Sequence, residues 1–446
     1  MLTREGQAVT EHELQCSFGG YYMAKKENKK KWLSFIILVL SAGVVYKLYF
    51  MSDAFYVQMQ KIWGLTNTQI GILNSVAGWI STFGFLAAAY LSERFSKKKL
   101  IPIALIGNGA VGLLLTANPS FPIKLAIWCI FPLCADMMFW PTMLKAVRLL
   151  GNKDEQGRMF GILESGRGVV DTIVNFAALG IFAALGSSLL AFNVSIIFLS
   201  ALNILFGVLC YFLLEDDEIA HVKSSGEKNK MALSNMMKAM KNPAIWLVAL
   251  NVFAVYIVYC GIRYFAPYLS DIYGLPMVAA SAYAIINSYV LKMVGGPIGG
   301  YVSDKVTHSA AKFIRNMFIL VAAGLLLLIA LSFGKHNVFV VIAIALVVSA
   351  FIFCQRSVFF APMDEIDVPR EITGSAMSLG SFIGYLPGAF MGIVYGHQLD
   401  VHPGVSGYRN VFIMMLVLAA VGFVISSVLV HVIHKKQAVK AAASAE

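Results

Sequence analysis

Four basic side chains lie inside apolar stretches of the sequence: Lys47, Arg263, Lys292 and Arg356. A charge transferred into hydrocarbon costs several kcal/mol, so such residues usually face a cavity or pair with an acid. Lysine and arginine are also the side chains that bind carboxylate and phosphate groups. We therefore predict that these four cations bind the negative group of a ligand. Tyr259 and Tyr289 are predicted to contact its organic part, because tyrosine offers both an apolar ring and a hydroxyl group.

Acidic side chains in the same kind of stretch are candidates for binding and releasing a proton. Asp136 stands alone among apolar neighbours, whereas Glu164, Arg167 and Asp171 follow one another at intervals of three and four and share a helix face. Arg167 could pair with either acid along its helix, and a cation elsewhere could neutralise Asp136. Asp136 is the first candidate for proton coupling, followed by Asp171 and Glu164. Asp53 is expected to be a solvated residue near the outer mouth.

The basic residues outnumber the acids available to them. Once Arg167 takes a share of the acids, the four basic residues cannot all be matched within the apolar stretches. This surplus favours a cavity that binds an anion over a set of internal salt bridges.

The elements that must position these residues are transmembrane helices. The chain has 446 residues, of which 59% are hydrophobic and 13% charged, and its mean hydropathy is +0.74. Soluble proteins carry about 25% charged residues. Inside a bilayer each segment must satisfy its own backbone hydrogen bonds, which favours helices. We predict an all-α membrane protein with twelve transmembrane helices, at 32–60, 68–91, 100–118, 123–149, 159–185, 188–214, 244–270, 277–302, 313–334, 337–361, 374–398 and 408–434.

An internal repeat divides these helices into two halves. Residues 89–98 recur as 300–309, and residues 63–66 recur as 273–276 at nearly the same distance. Such repeats are typical of carriers that rock two halves about a central site. We therefore predict pseudo-symmetric six-helix halves at 32–214 and 244–434, a cytoplasmic linker at 215–243, and cytoplasmic terminal segments at 1–31 and 435–446.

The positive charge is clustered on one side of the predicted membrane. Basic clusters occur at 25–31, 94–99, 145–158, 223–241, 305–315 and 435–440, whereas the opposite loops hold few cations. Cytoplasmic loops carry the excess of Lys and Arg, so both termini are predicted to be cytoplasmic. The net charge of +11 therefore reflects topology rather than a nucleic-acid partner.

No motif in the sequence indicates an enzyme or a cofactor. The six cysteines form no CxxC pair and have no histidine at metal-ligand spacing, so we expect no metal site. The sequence also lacks a phosphate-binding lysine motif and a catalytic Ser/His/Asp arrangement. We expect a non-enzymatic protein without a cofactor.

The repeated segment resembles the signature of the major facilitator superfamily over residues 32–434. Glu93 and Arg94 occupy the acid–base positions of that signature, and Asp304 and Lys305 repeat them in the second half. The resemblance implies a secondary active transporter that works by alternating access. We expect these four residues to form an interdomain latch that closes the cytoplasmic side.

Two finer likenesses add to this expectation. Segments 53–56, 166–172, 291–297 and 380–385 are similar to a bacterial inner-membrane protein, which implies the inner (cytoplasmic) membrane as the location. Residues 246–305 resemble the organophosphate antiporter branch. That branch grips phosphate with arginines about one helical turn away from Lys47 and Arg263.

The predicted function is transport of a small organic solute that we expect to be anionic: a sugar acid, an organophosphate or a carboxylate. The transporter would be a symporter or antiporter, coupled to protons or to a counter-anion, and is expected to act as a monomer in the lipid bilayer. The alternatives are a multidrug or metabolite exporter and a non-transporting membrane sensor with the same fold.

Overall fold

A computed structural model describes residues 30–150, 156–215, 226–334, 336–369 and 372–443. Within these ranges the regular structure is helical, and ten helical segments are long and apolar enough to cross a membrane. Two further helical segments, 30–61 and Asn67–Arg94, precede them. The predicted all-α architecture of twelve crossings in two halves is therefore confirmed.

The first half contains helices α1 to α8. Their bounds are 30–44 (α1), Tyr56–Lys61 (α2), Asn67–Arg94 (α3), Lys97–Leu113 (α4), Phe121–Pro132 (α5), Trp140–Leu150 (α6), Gln156–Ala184 (α7) and Leu189–Leu213 (α8). α1 and α2 form one interrupted crossing. α5 and α6 form another, joined by a π-helical segment at Leu133–Phe139.

The segment predicted to be the linker contains α9 (Gly226–Lys241), and the second half contains α10 to α19. Their bounds are Pro243–Tyr259 (α10), Phe265–Tyr273 (α11), Met277–Ile285 (α12), Leu291–Val302 (α13), Ala310–Leu331 (α14), Val338–Val358 (α15), Pro362–Glu365 (α16), Thr373–Tyr385 (α17), Met391–Val401 (α18) and Val405–Ala443 (α19). α19 thus continues into the segment that the sequence assigns to the tail. The first 29 residues lie outside the described ranges.

Several crossings are broken near their middle, and proline accounts for two of the breaks. Pro267 has no N–H to donate to the carbonyl of Arg263, and the chain forms a 3-10 turn at Ile262–Tyr264 between α10 and α11. Pro141 acts in the same way just after the π-helical segment Leu133–Phe139. Irregular backbone at membrane depth is tolerated where it is buried or lines a cavity.

The two halves meet along one face of the bundle. We call the face where α1 begins the terminal face, and the opposite one, where α2 ends and α3 begins, the far face. Near the far face the backbones of α3 and α18 are in direct contact. A Cβ atom at Gly71 would overlap the carbonyl of Gly392. Nearby, the Gln58 side-chain amide donates to Ser281 Oγ at 2.8 Å. Lys61 Nζ donates to Ser270 Oγ at 3.0 Å.

A carboxylate from one half caps a helix of the other at the far face. Asp400, at the end of α18, accepts hydrogen bonds at 2.7–3.0 Å from the backbone N–H groups of Asn67 and Thr68 and from the Asn67 side chain. These are the unsatisfied donors at the start of α3, where the helix dipole also favours a negative charge. The far face is therefore closed by contacts between the two halves.

We predict that Asp400→Ala increases the fraction of molecules whose far face is open. A capping hydrogen bond contributes about 1 kcal/mol, which corresponds to about a fivefold change in population. The measurement is the distance between spin labels at the far-face ends of α8 and α14, one in each half.

Thr66→Ala is the matched control, because Thr66 caps the same helix from within its own half. It should destabilise the start of α3 without changing the distance between the halves. An unchanged distance distribution in Asp400→Ala would show that this cap does not hold the far face closed.

Candidate functional site

A cavity of about 360 Å³ lies between the two halves. Five basic side chains and three carboxylates line it, which is a large charge for the middle of a membrane protein. The lining includes all six residues predicted to bind substrate and two of the three proton-coupling candidates. They are Lys47, Arg263, Lys292, Arg356, Tyr259, Tyr289, Asp136 and Asp171.

Lys47 forms a buried ion pair with Asp171. Its Nζ lies 2.5 Å from the Asp171 Oδ1, and the two side chains are 1% and 12% exposed. The same ammonium group lies 4.2 Å from the ring centroid of Tyr289, which belongs to the other half. Lys47 occupies the turn that follows α1, so the break in the first crossing brings its side chain to α7.

Arg263 forms an ion pair that joins the two halves. Both its Nε and one terminal nitrogen lie 2.7 Å from Asp53 Oδ1. The expectation that Asp53 is a solvated residue near the outer mouth is wrong, because this residue lines the cavity. The 3-10 turn at Met51–Asp53 moves its side chain inward, which a straight helix over 32–60 would not do.

Arg167 pairs with Glu164 at 2.8 Å, so one of its two predicted pairings along α7 is present. Its guanidinium also lies 4.8 Å from the ring centroid of Trp140. Glu164 is 54% exposed and is not among the residues that line the cavity. Asp171 takes Lys47 as its cation instead.

Asp136 is held by hydroxyl groups rather than by a cation. Tyr46 donates to its Oδ1 at 2.9 Å, and Ser81 donates to its Oδ2. Tyr49 contacts Ser81 Oγ at 2.9 Å and extends the network. Among the described residues no basic nitrogen lies within 4.0 Å of this carboxylate. The π-helical segment Leu133–Phe139 carries Asp136 and widens the helix at this position.

Lys292 and Arg356 differ from the other three cations of the cavity. Within the described ranges neither has a carboxylate within 4.0 Å. The Arg356 guanidinium lies over the rings of Tyr259 and Tyr256, at 4.2 and 5.6 Å from their centroids. Lys292 is exposed although it lies mid-span, because it faces the cavity. These two cations are available to a ligand.

The predicted latch is described only in part. Asp304 and Lys305 lie on a π-helical segment, Ser303–Thr307, and both are exposed at the terminal face. The side chains of Glu93 and Arg94 lie outside what the structure describes, although their backbone belongs to α3. The latch therefore stays a prediction.

The described residues form no cluster of metal-binding side chains. They contain no group of three or more His, Cys, Asp or Glu side chains that could hold a metal ion. The five cysteines within them are free thiols.

Comparison with known proteins identifies relatives of the whole chain. A sequence model of the Major Facilitator Superfamily matches residues 38–392. The inner membrane protein YihN of Escherichia coli strain K12 is 43% identical over 418 residues, which are 94% of this chain and 99% of the relative. The inner membrane protein YqcE of the same strain is 29% identical over 89% of this chain and 93% of the relative.

Solved transporter structures share the fold. A bacterial homologue of the human lysosomal transporter Spinster, in an inward-facing and occupied conformation, aligns with a TM-score of 0.68 and 12% identity over 92% of this chain and 97% of its own. The nucleoside transporter NupG aligns with a TM-score of 0.68 and 15% identity over 90% of this chain and 99% of its own.

We predict that breaking the Lys47–Asp171 pair from one side destabilises the protein. Lys47→Met leaves Asp171 buried without a counter-charge, which costs about 3 kcal/mol or more. The double variant Lys47→Met/Asp171→Leu should recover most of this loss, because neither charge then remains. The measurement is thermal unfolding of the purified protein in detergent.

Lys30→Met provides the control, since Lys30 and Glu215 form an ion pair whose side chains are 66% and 70% exposed. Breaking an exposed pair changes stability by less than about 1 kcal/mol. If Lys47→Met were as mild as Lys30→Met, the buried pair would not contribute to the fold.

Proposed function

Because the chain belongs to the Major Facilitator Superfamily, we propose that it is a secondary active transporter of a small organic anion. The observation that carries this proposal is the pair of cations, Lys292 and Arg356, that face the central cavity and have no carboxylate partner among the described residues. A ligand carboxylate or phosphate would supply the missing counter-charge. The attraction is stronger there than in water, because the effective dielectric constant is lower.

Other residues predicted to bind substrate are proposed to position these two cations or to contact the ligand in the opposite conformation. Tyr259 positions the Arg356 guanidinium, which lies over its ring at 4.2 Å from the centroid. Lys47 and Arg263 are held by Asp171 and Asp53 in this conformation. Arg263 is released when the halves separate at the far face, because its partner Asp53 belongs to the other half. It can then contact the ligand in the opposite conformation.

Alternating access accounts for the asymmetry between the two faces. The far face is sealed by Asp400, Gln58 and Lys61, which supports the proposal that this conformation loads from the terminal face. In the opposite conformation these contacts break, and Glu93, Arg94, Asp304 and Lys305 are proposed to close the terminal face. Rigid-body rocking of packed halves is the usual way in which such a change occurs.

We further propose that the protein is a monomer in a bacterial inner membrane with both termini in the cytoplasm. The clustering of Lys and Arg at the terminal face supports this orientation. The relatives YihN and YqcE are named inner membrane proteins, which supports the location. The terminal face would then be cytoplasmic and the cavity open to the cytoplasm.

Two other functions make different demands on the cavity. An exporter of apolar cations would favour acids over basic residues in the cavity, and here the basic residues are in excess. A sensor that does not transport would bind its ligand without moving it across the membrane. Uptake by proteoliposomes distinguishes a sensor from a carrier directly.

We predict that Lys292→Gln and Arg356→Gln each weaken binding of the anionic ligand by about tenfold or more, which is about 1.4 kcal/mol. A thermal-shift screen of the purified protein against sugar acids, organophosphates and carboxylates identifies the ligand, because binding raises the apparent stability. Titration calorimetry then gives its affinity for each variant.

Lys99→Gln is the charge-matched control, because Lys99 is exposed on the outer surface of the bundle. It should bind the ligand as the wild type does. Wild-type affinity in both cavity variants would mean that Lys292 and Arg356 have structural roles and that the ligand is not held by them.

Transport is proposed to be coupled to protons through Asp136, with Asp171 and Glu164 as the second candidates. Asp136 has no cation partner in the described part of the chain, whereas Asp171 and Glu164 pair with Lys47 and Arg167. We predict that uptake into proteoliposomes increases when a pH gradient is imposed and that Asp136→Asn removes this increase.

If uptake by the wild type does not depend on the pH gradient, the protein instead exchanges one anion for another, which needs no titrating acid. A gradient dependence that survives in Asp136→Asn would assign the proton to Asp171 or Glu164.

A further inference from the structure

We propose that the ligand is a hydroxylated organic anion that bridges the two halves, with its negative group at Lys292 and Arg356 and its hydroxyl groups at Asp136. This inference rests on the proposed anion transport and adds the chemistry of the rest of the ligand. Its basis is the contrast between the two walls of the cavity. Within the described ranges, two cations without a carboxylate partner lie on one wall, and a carboxylate held only by hydroxyl groups lies on the other.

Asp136 has hydrogen-bonding capacity that the hydrogen bonds of the described residues do not fill. An ionised carboxylate has about four lone-pair positions for hydrogen bonds. Among the described residues, Asp136 accepts hydrogen bonds from the hydroxyl groups of Tyr46 and Ser81, one on each oxygen. A buried carboxylate with free acceptor positions and no cation is costly unless further donors reach it. Because Asp136 lines the cavity, a ligand can provide those donors.

The surroundings of Asp136 also suit hydroxyl groups. The first-half wall of the cavity includes the polar side chains of Tyr49, Asn74, Ser81 and Thr82. Two cations on the same wall are already neutralised, Lys47 by Asp171 and Arg167 by Glu164. The net character of this wall is therefore that of neutral hydrogen-bonding groups around one acid.

The second-half wall is suited to a negative group. Lys292 and Arg356 both belong to it, and the rings of Tyr256 and Tyr259 lie against the Arg356 guanidinium. Arg263 on this wall is neutralised by Asp53. A charged ligand therefore has one favourable orientation, because its negative group is attracted by this wall and repelled by Asp136 on the other.

The alternatives leave a charge uncompensated. A neutral sugar would satisfy Asp136 but leave both cations without a counter-charge. A hydroxyl-free anion would satisfy the cations but place an apolar surface against Asp136. The cavity of about 360 Å³ is at the small end of the range for ligand sites, which fits a molecule of the size of a sugar acid.

The test compares matched ligands on the purified, full-length protein. The hydroxylated set is gluconate, glucuronate and glucose 6-phosphate, and the hydroxyl-free set is hexanoate, cyclohexanecarboxylate and hexyl phosphate. Glucose is the neutral control. We expect at least one hydroxylated anion to bind tenfold or more tightly than its hydroxyl-free counterpart, and glucose to bind more weakly than either acid. The carboxylate and phosphate members show which negative group is preferred.

Two variants locate the two ends of the ligand. Lys292→Gln should weaken both sets of anions about tenfold. Asp136→Asn should reduce the preference for the hydroxylated set by tenfold, because an amide has fewer acceptor positions than a carboxylate. The ligand comparison in the wild type holds even if Asp136→Asn does not fold.

The outcomes separate this inference from the function on which it rests. If hydroxyl-free anions bind as tightly as their hydroxylated counterparts, the inference is overturned while anion transport stands. If no anion of either set binds, or if glucose binds more tightly than every anion, both are overturned. A preference that persists unchanged in folded Asp136→Asn overturns the orientation, since the hydroxyl groups then contact another part of the cavity.

Discussion

The cost of placing charge inside a membrane governs the arrangement of this protein. Five basic and three acidic side chains surround one cavity, and each must be neutralised, hydrated or matched by a ligand. Three of the basic residues find carboxylate partners, in the pairs Lys47–Asp171, Arg263–Asp53 and Arg167–Glu164. The remaining groups, the cations Lys292 and Arg356 and the acid Asp136, are therefore the ones that a ligand can contact.

Broken helices make these pairings geometrically accessible. The first crossing is interrupted between α1 and α2, and the seventh is interrupted at Ile262–Tyr264. These breaks occupy corresponding places in the two halves and carry Asp53 and Arg263, which meet across the interface. In a regular helix the helical period alone determines where each side chain points. In an interrupted helix a residue at the break can turn toward the centre of the bundle. The local backbone thus decides which charges meet.

The sequence predicts the helices and several of the charged residues that line the cavity, but not the partners of these charges. The twelve crossings are predicted from runs of apolar residues. Charged residues within those runs are recognisable as candidates for a site, because a charge inside the membrane costs several kcal/mol. The pairing of Arg167 with Glu164 can also be predicted from the sequence, because both residues lie on one helix at a spacing of three. The pairings of Lys47 with Asp171 and of Asp53 with Arg263 cannot, since contacts between helices depend on packing and on the breaks. The position of Asp53 is mispredicted for that reason. Of the four residues of the predicted latch, Glu93, Arg94, Asp304 and Lys305, the structure describes the side chains of Asp304 and Lys305.

The ion pair between Asp53 and Arg263 connects this electrostatic arrangement to the proposed motion of the halves. Its members come from different halves, so separation at the far face must break it and leave both charges without a partner. Water entering from the far face can hydrate them, and an anion in the cavity can neutralise Arg263. Breaking a buried pair costs several kcal/mol when nothing replaces the lost partner. A bound anion lowers that cost, so we expect the loaded protein to change conformation more readily than the empty one. A ligand can bias such an equilibrium only through its different affinity for the two conformations, and Arg263 provides that difference.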